Sequence, residues 1–289
     1  MLAPDKITLC WPNYVDSAAL SGGSWEAELP IEHAGDPEFA VRARSTDLDA
    51  ASTQFNVAMA RIRPVAAAAL AAHNLSTDAE WRIYVYADAG QQELRYDSGW
   101  LRVWPAIYQS ADLEWEYDTF WTGLPTAEDR DDFTALATHF FRVQVAACVR
   151  IEISDPNNPD GYVEIGRAMV ADAWQPRFNA SFGIQHGYEI ATEFETAGDA
   201  AQTRYAEPKA PKRTVQLSLD HLGESEGVQR MLGLQRTQGL HRDLLYAYSI
   251  APSPENWRRT FIGQLTQADP LTHPYHATHA IPISIQEVL

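Results

Sequence analysis

A polar stretch of seven residues lies between two alternating apolar and polar segments, and this pattern constrains the fold more than any other feature. The sequence runs FRVQVAACVRIEIS, then DPNNPDG, then YVEIGRAMV. Val149, Ile151 and Ile153 share one face of an extended chain, and the residues between them are charged. Proline fixes φ, while asparagine and glycine accept positive φ, so DPNNPDG has the composition of a turn. The pattern predicts two strands joined by a turn, as a structural hairpin.

The same stretch has enough acidic and amide side chains to suggest a calcium loop. An EF-hand loop needs oxygen ligands at positions 1, 3 and 5, glycine at position 6 and glutamate at position 12. If Gly161 takes the glycine position, Pro156 takes the first position and Arg167 the last, so the EF-hand pattern fails. The composition favours a plain turn. The alternative is a calcium site of another type that uses Asp155 and Asp160.

Strand patterns separated by turn residues recur along the 289 residues, a length that suits two domains. A hydrophobic content of 45% and a charged content of 21% are typical of a folded soluble protein. The clearest strands are ITLCWP, WRIYVYAD, YDSGWLRVWP, TVQLSLDHL, DLLYAYSI, RRTFIGQLTQ and HAIPISIQEVL. We therefore predict a mainly β protein, with a jelly-roll-like β-sandwich at residues 1–178 and a smaller β-sandwich with one helix at residues 179–289.

Two segments have helical patterns. TAEDRDDFTALATHFF begins with a capping residue, Thr126, and then repeats Phe133, Leu136 and Phe140 at helical spacing. ESEGVQRMLGLQRTQG has an apolar stripe and ends before a glycine. RPVAAAALAAHNLS is ambiguous, because its alanines favour a helix while Pro64 and its short length leave a buried strand possible.

The charge of the chain disfavours one class of ligand, and its cysteines and apolar segments indicate its environment. Acidic residues outnumber basic ones by 39 to 22, and the net charge of −17 disfavours binding to phosphate backbones. Cys10 and Cys148 both lie in apolar strand-like segments, so we predict buried free thiols. The N-terminal sequence has no signal-peptide pattern, and no apolar segment approaches the ~20 residues that span a bilayer. We expect a soluble protein made in the cytoplasm.

Carboxylates cluster in DLEWEYDTFW, at Asp112, Glu114, Glu116 and Asp118. Glycoside hydrolases use a pair of carboxylates, so this cluster suggests a glycan-cleaving site. On a strand, however, these even-numbered positions would share one solvated face. Solvation is the interpretation that we favour.

The histidines of HPYHATH recur every third residue, at His273, His276 and His279. On a helix the first two could converge on a metal, but Pro274 argues against a helix, so we predict a solvent-exposed loop. The sequence also has no GxSxG, no P-loop and no GxGxxG after a strand. We therefore assign no catalytic, cofactor-binding or metal-binding residue, and predict that the protein has no cofactor and is not an enzyme.

Tryptophan is concentrated in the first part of the chain, at Trp25, Trp81, Trp100, Trp104, Trp115, Trp121 and Trp174. Aromatic rings stack on the apolar faces of sugars, so these residues could form a glycan-binding surface. They could also fill the core of a sandwich or a protein interface, and we favour this second interpretation.

Several of these segments together resemble a known family. They are ITLCWPNYVDSAALSGGSWEAELPIEHA, RARSTDLDAASTQFNV, RPVAAAALAAHNLS, YDSGW and VRIEISDPNNPDGYVEIGRAMVADAW. They resemble the galactose-binding-like β-sandwich in tail proteins of long-tailed bacteriophages, over about residues 7 to 178. Residues 180–289 are similar in element order to the sandwich-and-helix module of phage tail tubes and distal tail proteins.

The resemblance implies a structural protein of the virion, placed in a tail tip or baseplate and made in the host cytoplasm. It implies a ring of six copies, or three as the alternative, that joins the tail tube protein to the baseplate hub and fibres. DNA would only pass through the lumen of such a ring. The alternative functions are a carbohydrate-binding module that contacts a glycan of the host surface and a glycan-cleaving enzyme that uses the cluster around Glu114.

Overall fold

A computed structural model describes residues 2–117, 119–196, 198 and 204–289, with only the backbone described at Asp112. The fold is mainly β and is built from sandwiched sheets, so the predicted fold class is confirmed. Both cysteines are buried free thiols, as predicted. Within the described ranges no helix is long and apolar enough to cross a membrane.

The strands of the first half and the region after it are β1 Thr8–Cys10, β2 Ala19–Ser21, β3 Ala43–Arg44, β4 Gln54–Ala71, β5 Glu80–Tyr86, β6 Leu94–Asp97, β7 Leu101–Arg102, β8 Leu136–Ser154, β9 Glu164–Ile165, β10 Arg167–Ala171 and β11 Ala173–Trp174. The later strands are β12 Gln185–Glu189, β13 Glu193–Thr196, β14 Arg204–Glu207, β15 Lys212–Leu222, β16 Leu244–Ala247, β17 Phe261–Leu265, β18 Thr272–Tyr275 and β19 Thr278–Glu287. The helices are α1 Ala127–Asp132, α2 Leu232–Gln238 and α3 Pro254–Arg258, with a π-helical segment at Ser225–Met231 and 3₁₀ turns at Tyr14–Ser17, Ile31–Gly35 and Ser110–Asp112.

Two antiparallel sheets dominate the fold. The seven-stranded sheet has the order β10-β4-β8-β5-β6, with β2 paired to β4 and β7 paired to β5. The eight-stranded sheet has the order β11-β1-β16-β17-β19-β15-β12, with β18 paired to β19. Strands β1 and β11 come from the first part of the chain, yet β1 pairs with β16. Sheet pairing thus crosses the domain boundary expected near residue 178, and the two-domain division stays a prediction.

The two sheets pack face to face through small side chains. Ala67, Ala69 and Ala71 of β4 share a buried cluster with Cys10 and Leu245 of the eight-stranded sheet. Short side chains on facing strands let two sheets approach closely. The alanine-rich segment of ambiguous pattern is therefore a buried strand.

Each sheet buries its other face separately. The outer face of the seven-stranded sheet packs against loops and short strands of the first half, in a core that includes Phe55, Trp81 and Ile151. The outer face of the eight-stranded sheet packs against the helical segment through Met231 and Leu234. The molecule therefore has the layers loops, sheet, sheet and helix.

The helix predicted over TAEDRDDFTALATHFF is wrong beyond its first turns. Thr126 and Asp129 form a capping box, as the sequence indicated, but α1 ends at Asp132. From Leu136 the chain is strand β8, because these residues pair with the end of β4, for example Leu136 with Ala71. Long-range pairing overrides the helical spacing of Phe133, Leu136 and Phe140. The second predicted helix is confirmed by the π-helical segment and α2.

Candidate functional site

A loop between β7 and α1 closes on itself at its base. We define the aromatic loop as residues 108–123. At its base the backbone N–H groups of Ile107 and Tyr108 both donate to the carbonyl oxygen of Gly123, at 2.8 and 3.0 Å. Gly123 has φ +65°, and a Cβ there would lie 2.5 Å from the Tyr108 carbonyl oxygen, so only glycine fits. The ends of the loop are thus fixed together by the backbone.

Three aromatic side chains of this loop are exposed. The exposed fractions are 75% for Trp115, 52% for Tyr117 and 88% for Trp121. Phe120 contacts Trp121 edge to face, with ring centroids 4.9 Å apart. Large aromatic side chains stabilise a fold mainly when they are buried, so three of them exposed on one loop make this loop a candidate contact surface.

The base of the loop is attached to both halves of the chain through Asp129 of α1. The Tyr108 hydroxyl donates to Asp129 at 2.7 Å, and the Arg258 guanidinium of α3 donates to the same carboxylate at 2.7 Å. Burial opposes ionisation of this carboxyl, but hydrogen bonds from Arg258, Tyr108 and Thr126 outweigh it and lower the pKa of Asp129. Asp129 is therefore ionised at neutral pH and holds the loop to α3.

The side chains of the acidic cluster that the structure describes are solvated, which is the interpretation that the sequence favoured, but they do not lie on a strand. Glu114 and Glu116 are exposed, but they lie in turns of the loop and not on a strand. The backbone carbonyl of Glu114 accepts a hydrogen bond from Tyr117 N–H at 3.1 Å. Asp118 lies outside the described residues, and the side chain of Asp112 is not described. The two glutamates are available to accept hydrogen bonds from a ligand.

The three histidines of HPYHATH do not converge. The predicted loop is wrong, because the segment is a hairpin in which β18 pairs with β19. His273 and His276 are exposed, whereas His279 is buried, and its Nε2 lies 2.8 Å from a Glu224 carboxylate oxygen. The rings of His273 and His279 lie 4.6 Å apart between centroids. Over the described ranges no group of three or more His, Cys, Asp or Glu side chains has the geometry to hold a metal ion.

The DPNNPDG stretch is a turn between β8 and β9, as predicted, but the hairpin is wrong, because β8 pairs with β4 and β5 and β9 pairs with β3. The acidic side chains of the turn accept hydrogen bonds from the chain itself. Asp155 is buried and accepts hydrogen bonds from Ser76 N–H at 2.8 Å, from the Ser76 hydroxyl at 2.6 Å and from the Asn158 amide at 2.8 Å. Asp160 accepts a hydrogen bond from Asn74 at 2.9 Å. These donors tie the turn to the loop after β4.

The segment after this turn places two charged side chains in structural roles. Glu164 accepts hydrogen bonds from Arg42 Nη1 at 2.9 Å and from Arg44 Nε at 2.8 Å. Arg167 is fully buried, donates to both carboxylate oxygens of Asp243 at 2.8 Å and also pairs with Asp16. This ion pair links the seven-stranded sheet to the segment before β16.

Some of the tryptophans fill the core, and others are exposed as a ligand-binding surface would require. Trp81, Trp104 and Trp174 are buried in the core, and Trp104 donates its indole N–H to Leu75 O at 3.0 Å. Trp115 and Trp121 are exposed on the aromatic loop. Trp100 is also exposed, outside this loop. The acidic residues of DLEWEYDTFW are thus a local signal for Trp115 and Trp121 but not for Trp100.

A second exposed aromatic surface lies far along the chain. Among the described residues, strands β13 and β14 pair only with each other, in a two-stranded sheet that we call the exposed hairpin. All eight residues of these two strands are exposed. Phe194 is paired with Ala206 and Tyr205 with Glu195, so the two aromatic rings lie on opposite faces. The Arg204 guanidinium lies over the Phe194 ring, 3.5 Å from its centroid.

No protein-family model matches the chain. No curated protein matches it either. Among solved structures, the lectin domain of lectinolysin complexed with Lewis B antigen is 11% identical, with a TM-score of 0.35, and the match covers 55% of this chain and 96% of that one. A Streptococcus pneumoniae fucose binding module is 10% identical, with a TM-score of 0.34 and coverage of 55% and 94%. The family 32 carbohydrate-binding module from C. perfringens NanJ, in complex with galactose, is 14% identical, with a TM-score of 0.36 and coverage of 58% and 99%.

These three similar structures are sugar-binding modules, and each match covers little more than half of this chain. TM-scores this low identify no ligand for this protein. The functional argument therefore rests on its own residues.

Proposed function

We propose that the protein is a non-enzymatic glycan-binding protein and that the aromatic loop contacts the sugar. The observation that carries the proposal is the exposure of Trp115, Tyr117 and Trp121 on one loop whose ends are fixed by Gly123. Because the ends of the loop are fixed together, the loop loses less conformational entropy on binding than a segment with free ends would. Flat aromatic rings offer large contact area to the apolar face of a pyranose.

The charge of the loop favours a class of glycan. The exposed carboxylates of Glu114 and Glu116 accept hydrogen bonds from sugar hydroxyl or ammonium groups. The same carboxylates repel acidic sugars, and the whole chain carries a net charge of −17. We therefore propose a neutral or amino sugar as the ligand, in preference to a uronic or sialic acid.

The proposal of binding without cleavage rests on the surroundings of these carboxylates. A glycosidase places two carboxyl groups on either side of the scissile bond and keeps one protonated in an apolar environment. Glu114 and Glu116 are exposed within one turn-rich loop, so solvent surrounds both. A hydrolase screen against neutral and amino glycans tests this directly, and turnover that is lost in Glu114→Gln would favour the enzymatic alternative.

A glycan array tests the binding proposal. We expect the wild-type chain to bind neutral or amino glycans and the double variant Trp115→Ala, Trp121→Ala to lose them. Trp100→Ala is the matched control, because Trp100 is 42% exposed but lies outside the aromatic loop. An array without any hit, or equal binding by the double variant and wild type, would contradict the proposal.

A second candidate function is assembly into a particle, and the exposed hairpin is the observation that favours it. A lone two-stranded hairpin is marginally stable in water, so β13 and β14 are expected to gain stability from a further surface. The resemblance to phage tail-tip proteins supports a virion location, with the tail tube protein and baseplate hub proteins as neighbours and other copies of the chain as ring partners. Six copies are the favoured ring, with three as the alternative.

Mass measurement of the purified chain at high concentration tests the assembly candidate. The expected result is a closed oligomer. In a ring every hairpin is covered by a neighbouring copy, whereas a linear polymer has uncovered ends and continues to grow. A strictly monomeric chain that is also absent from any tail particle would exclude it. Both candidates can hold together, because the aromatic loop and the exposed hairpin are separate surfaces.

A further inference from the structure

The longest strand pair of the molecule carries a basic and aliphatic surface near its middle. The register between β4 and β8 shifts twice there, between Ala58 and Arg63 and between Val65 and Ala67. Extra residues at such bulges leave the regular alternation of a strand, so consecutive side chains become exposed. The aliphatic side chains of this surface are between 53% and 63% exposed. We call it the arginine patch and define it as Arg61, Ile62, Arg63, Arg142, Val143 and Val145, all of which are exposed.

The three arginines of the patch carry positive charge that the chain itself does not neutralise. Within the described residues none of them forms an ion pair. Arg63 lies over the ring of Tyr14, with its guanidinium carbon 5.8 Å from the ring centroid. The chain as a whole has a net charge of −17, so most of its surface repels another copy. The patch is a local exception that attracts acidic groups.

Two grooves border the arginine patch. The larger has a volume of about 360 Å³ and includes Arg142 in its lining, and the smaller has a volume of about 70 Å³ and includes Arg61 and Arg63. Asp172 also lines the larger groove, but it is paired with Arg230 at 3.2 Å. Asp172 therefore does not neutralise Arg142. The patch is a raised basic surface with concave regions beside it that side chains of a partner can enter.

One face of the exposed hairpin has the opposite charge. The register pairs Glu193 with Glu207 and Glu195 with Tyr205, and paired residues share a face with those two positions away. Three carboxylates therefore surround one aromatic ring. The Lys209 ammonium group lies 2.6 Å from Glu207 and 3.9 Å from Glu193. Three negative charges and this one positive charge leave the face with a net charge of −2.

We propose that the arginine patch of one copy binds this acidic face of the exposed hairpin of a second copy. Guanidinium groups pair with carboxylates and also stack on aromatic rings, so the patch suits both the glutamates and Tyr205. The aliphatic side chains of the patch pack against the same ring. The two surfaces differ, so the contact is heterologous, and each copy binds one neighbour through each surface. The proposal rests on the assembly candidate above and names the surface that covers the hairpin.

Charge reversal in the full chain tests the proposal, with sedimentation as the measurement. The patch variant is Arg61→Glu, Arg63→Glu, and the hairpin variant is Glu193→Arg, Glu195→Arg. We expect each variant alone to associate at least about 30-fold more weakly than wild type, because like charges then face each other. An equimolar mixture should recover association, since the acidic patch of one variant meets the basic hairpin of the other. Arg236→Glu, at an exposed position of α2, is the control and should associate better than the patch variant.

The possible results separate this proposal from the assembly candidate. Oligomers that persist in both variants, or a mixture that stays dissociated, would overturn the proposal and leave the assembly candidate intact. Loss of association in the patch variant alone would show that the patch meets a different acidic segment, which also excludes the hairpin as its occupant. A wild-type chain that stays monomeric at high concentration would contradict both.

Two further measurements apply if a reversed variant does not fold. Association of the wild type should weaken as salt rises from about 50 to about 500 mM, because exposed charges are screened, and an association independent of salt would count against the proposal. A mixture of the Ile62→Cys and Tyr205→Cys variants should form a dimer with a short bismaleimide, whereas Arg236→Cys mixed with Tyr205→Cys should not. The native cysteines are both buried, so the added thiols report the contact. Equal cross-linking in the two mixtures would overturn the proposal.

Discussion

The aromatic loop and the exposed hairpin both leave large aromatic side chains in solvent, but they hold them differently. The loop is closed at its base by Gly123, and Tyr108 at this base is linked to α3 through Asp129. The hairpin consists of two paired strands with solvent on both faces. A fixed loop suits a small rigid ligand such as a sugar, whereas an isolated pair of strands suits another protein surface. Exposure of aromatic residues therefore does not define one function, and the support beneath them must be considered.

The largest effect is expected at the exposed hairpin. Replacing Phe194 and Tyr205 together by serine removes an aromatic ring from each face, and two interface anchors are worth about 4 kcal/mol, or roughly 1,000-fold in dissociation constant. Mass photometry or sedimentation should show loss of the oligomer. Glycan binding should be unchanged, and a parallel loss of glycan binding would contradict the separation of the two surfaces.

A single substitution in the aromatic loop should have the next largest effect. Trp121→Ala removes the most exposed ring of the loop, so glycan affinity should fall by about 30-fold, the equivalent of about 2 kcal/mol. Calorimetric titration with a glycan selected on the array measures the change. Trp100→Ala is the control, and the oligomeric state should be the same in both variants.

The support of the loop should contribute less than its rings. Arg258→Gln removes the charge that pairs with Asp129, and since Arg258 is half-exposed the free energy of unfolding should fall by about 1 kcal/mol or less. Glycan affinity should fall only by about threefold, because the rings remain and lose only part of their preorganisation. Arg236→Gln, at an exposed position of α2, is the matched control for the loss of one positive charge.

The pH dependence should be the smallest effect near neutrality. Because folding lowers the pKa of Asp129, its stabilising contribution is complete above the unfolded value of about 3.9 and is lost as the pH falls through the lower folded value. Glycan affinity should be constant from about pH 6 to pH 8 and should decline only below about pH 4. In Arg258→Gln this decline in acid should be weaker. A decline that already begins at pH 6 would show that a group other than Asp129 causes the pH dependence.

Local patterns predicted the strands well where the apolar side of the alternation is the side that the sheet buries. The alternation of Val149, Ile151 and Ile153 and the turn at DPNNPDG both appear in the structure. Leu136 and Phe140 have helical spacing but join β8, because pairing with β4 decides their conformation and sequence spacing cannot show it.

The candidate site was less accessible from sequence. The sequence indicated no metal-binding, cofactor-binding or catalytic residue and therefore no position for the site. It also did not distinguish the exposed tryptophans from those of the core. Trp104 and Trp115 are eleven positions apart, and one is buried while the other is exposed.

The central claim is that the aromatic loop is the glycan-binding surface. The most direct test is NMR of the full chain with isotope-labelled tryptophan indoles during titration with a neutral or amino glycan selected on the array. We predict that the signals of Trp115 and Trp121 shift together along one binding curve while that of Trp100 stays in place. Binding of the glycan with unchanged Trp115 and Trp121 signals would contradict the claim.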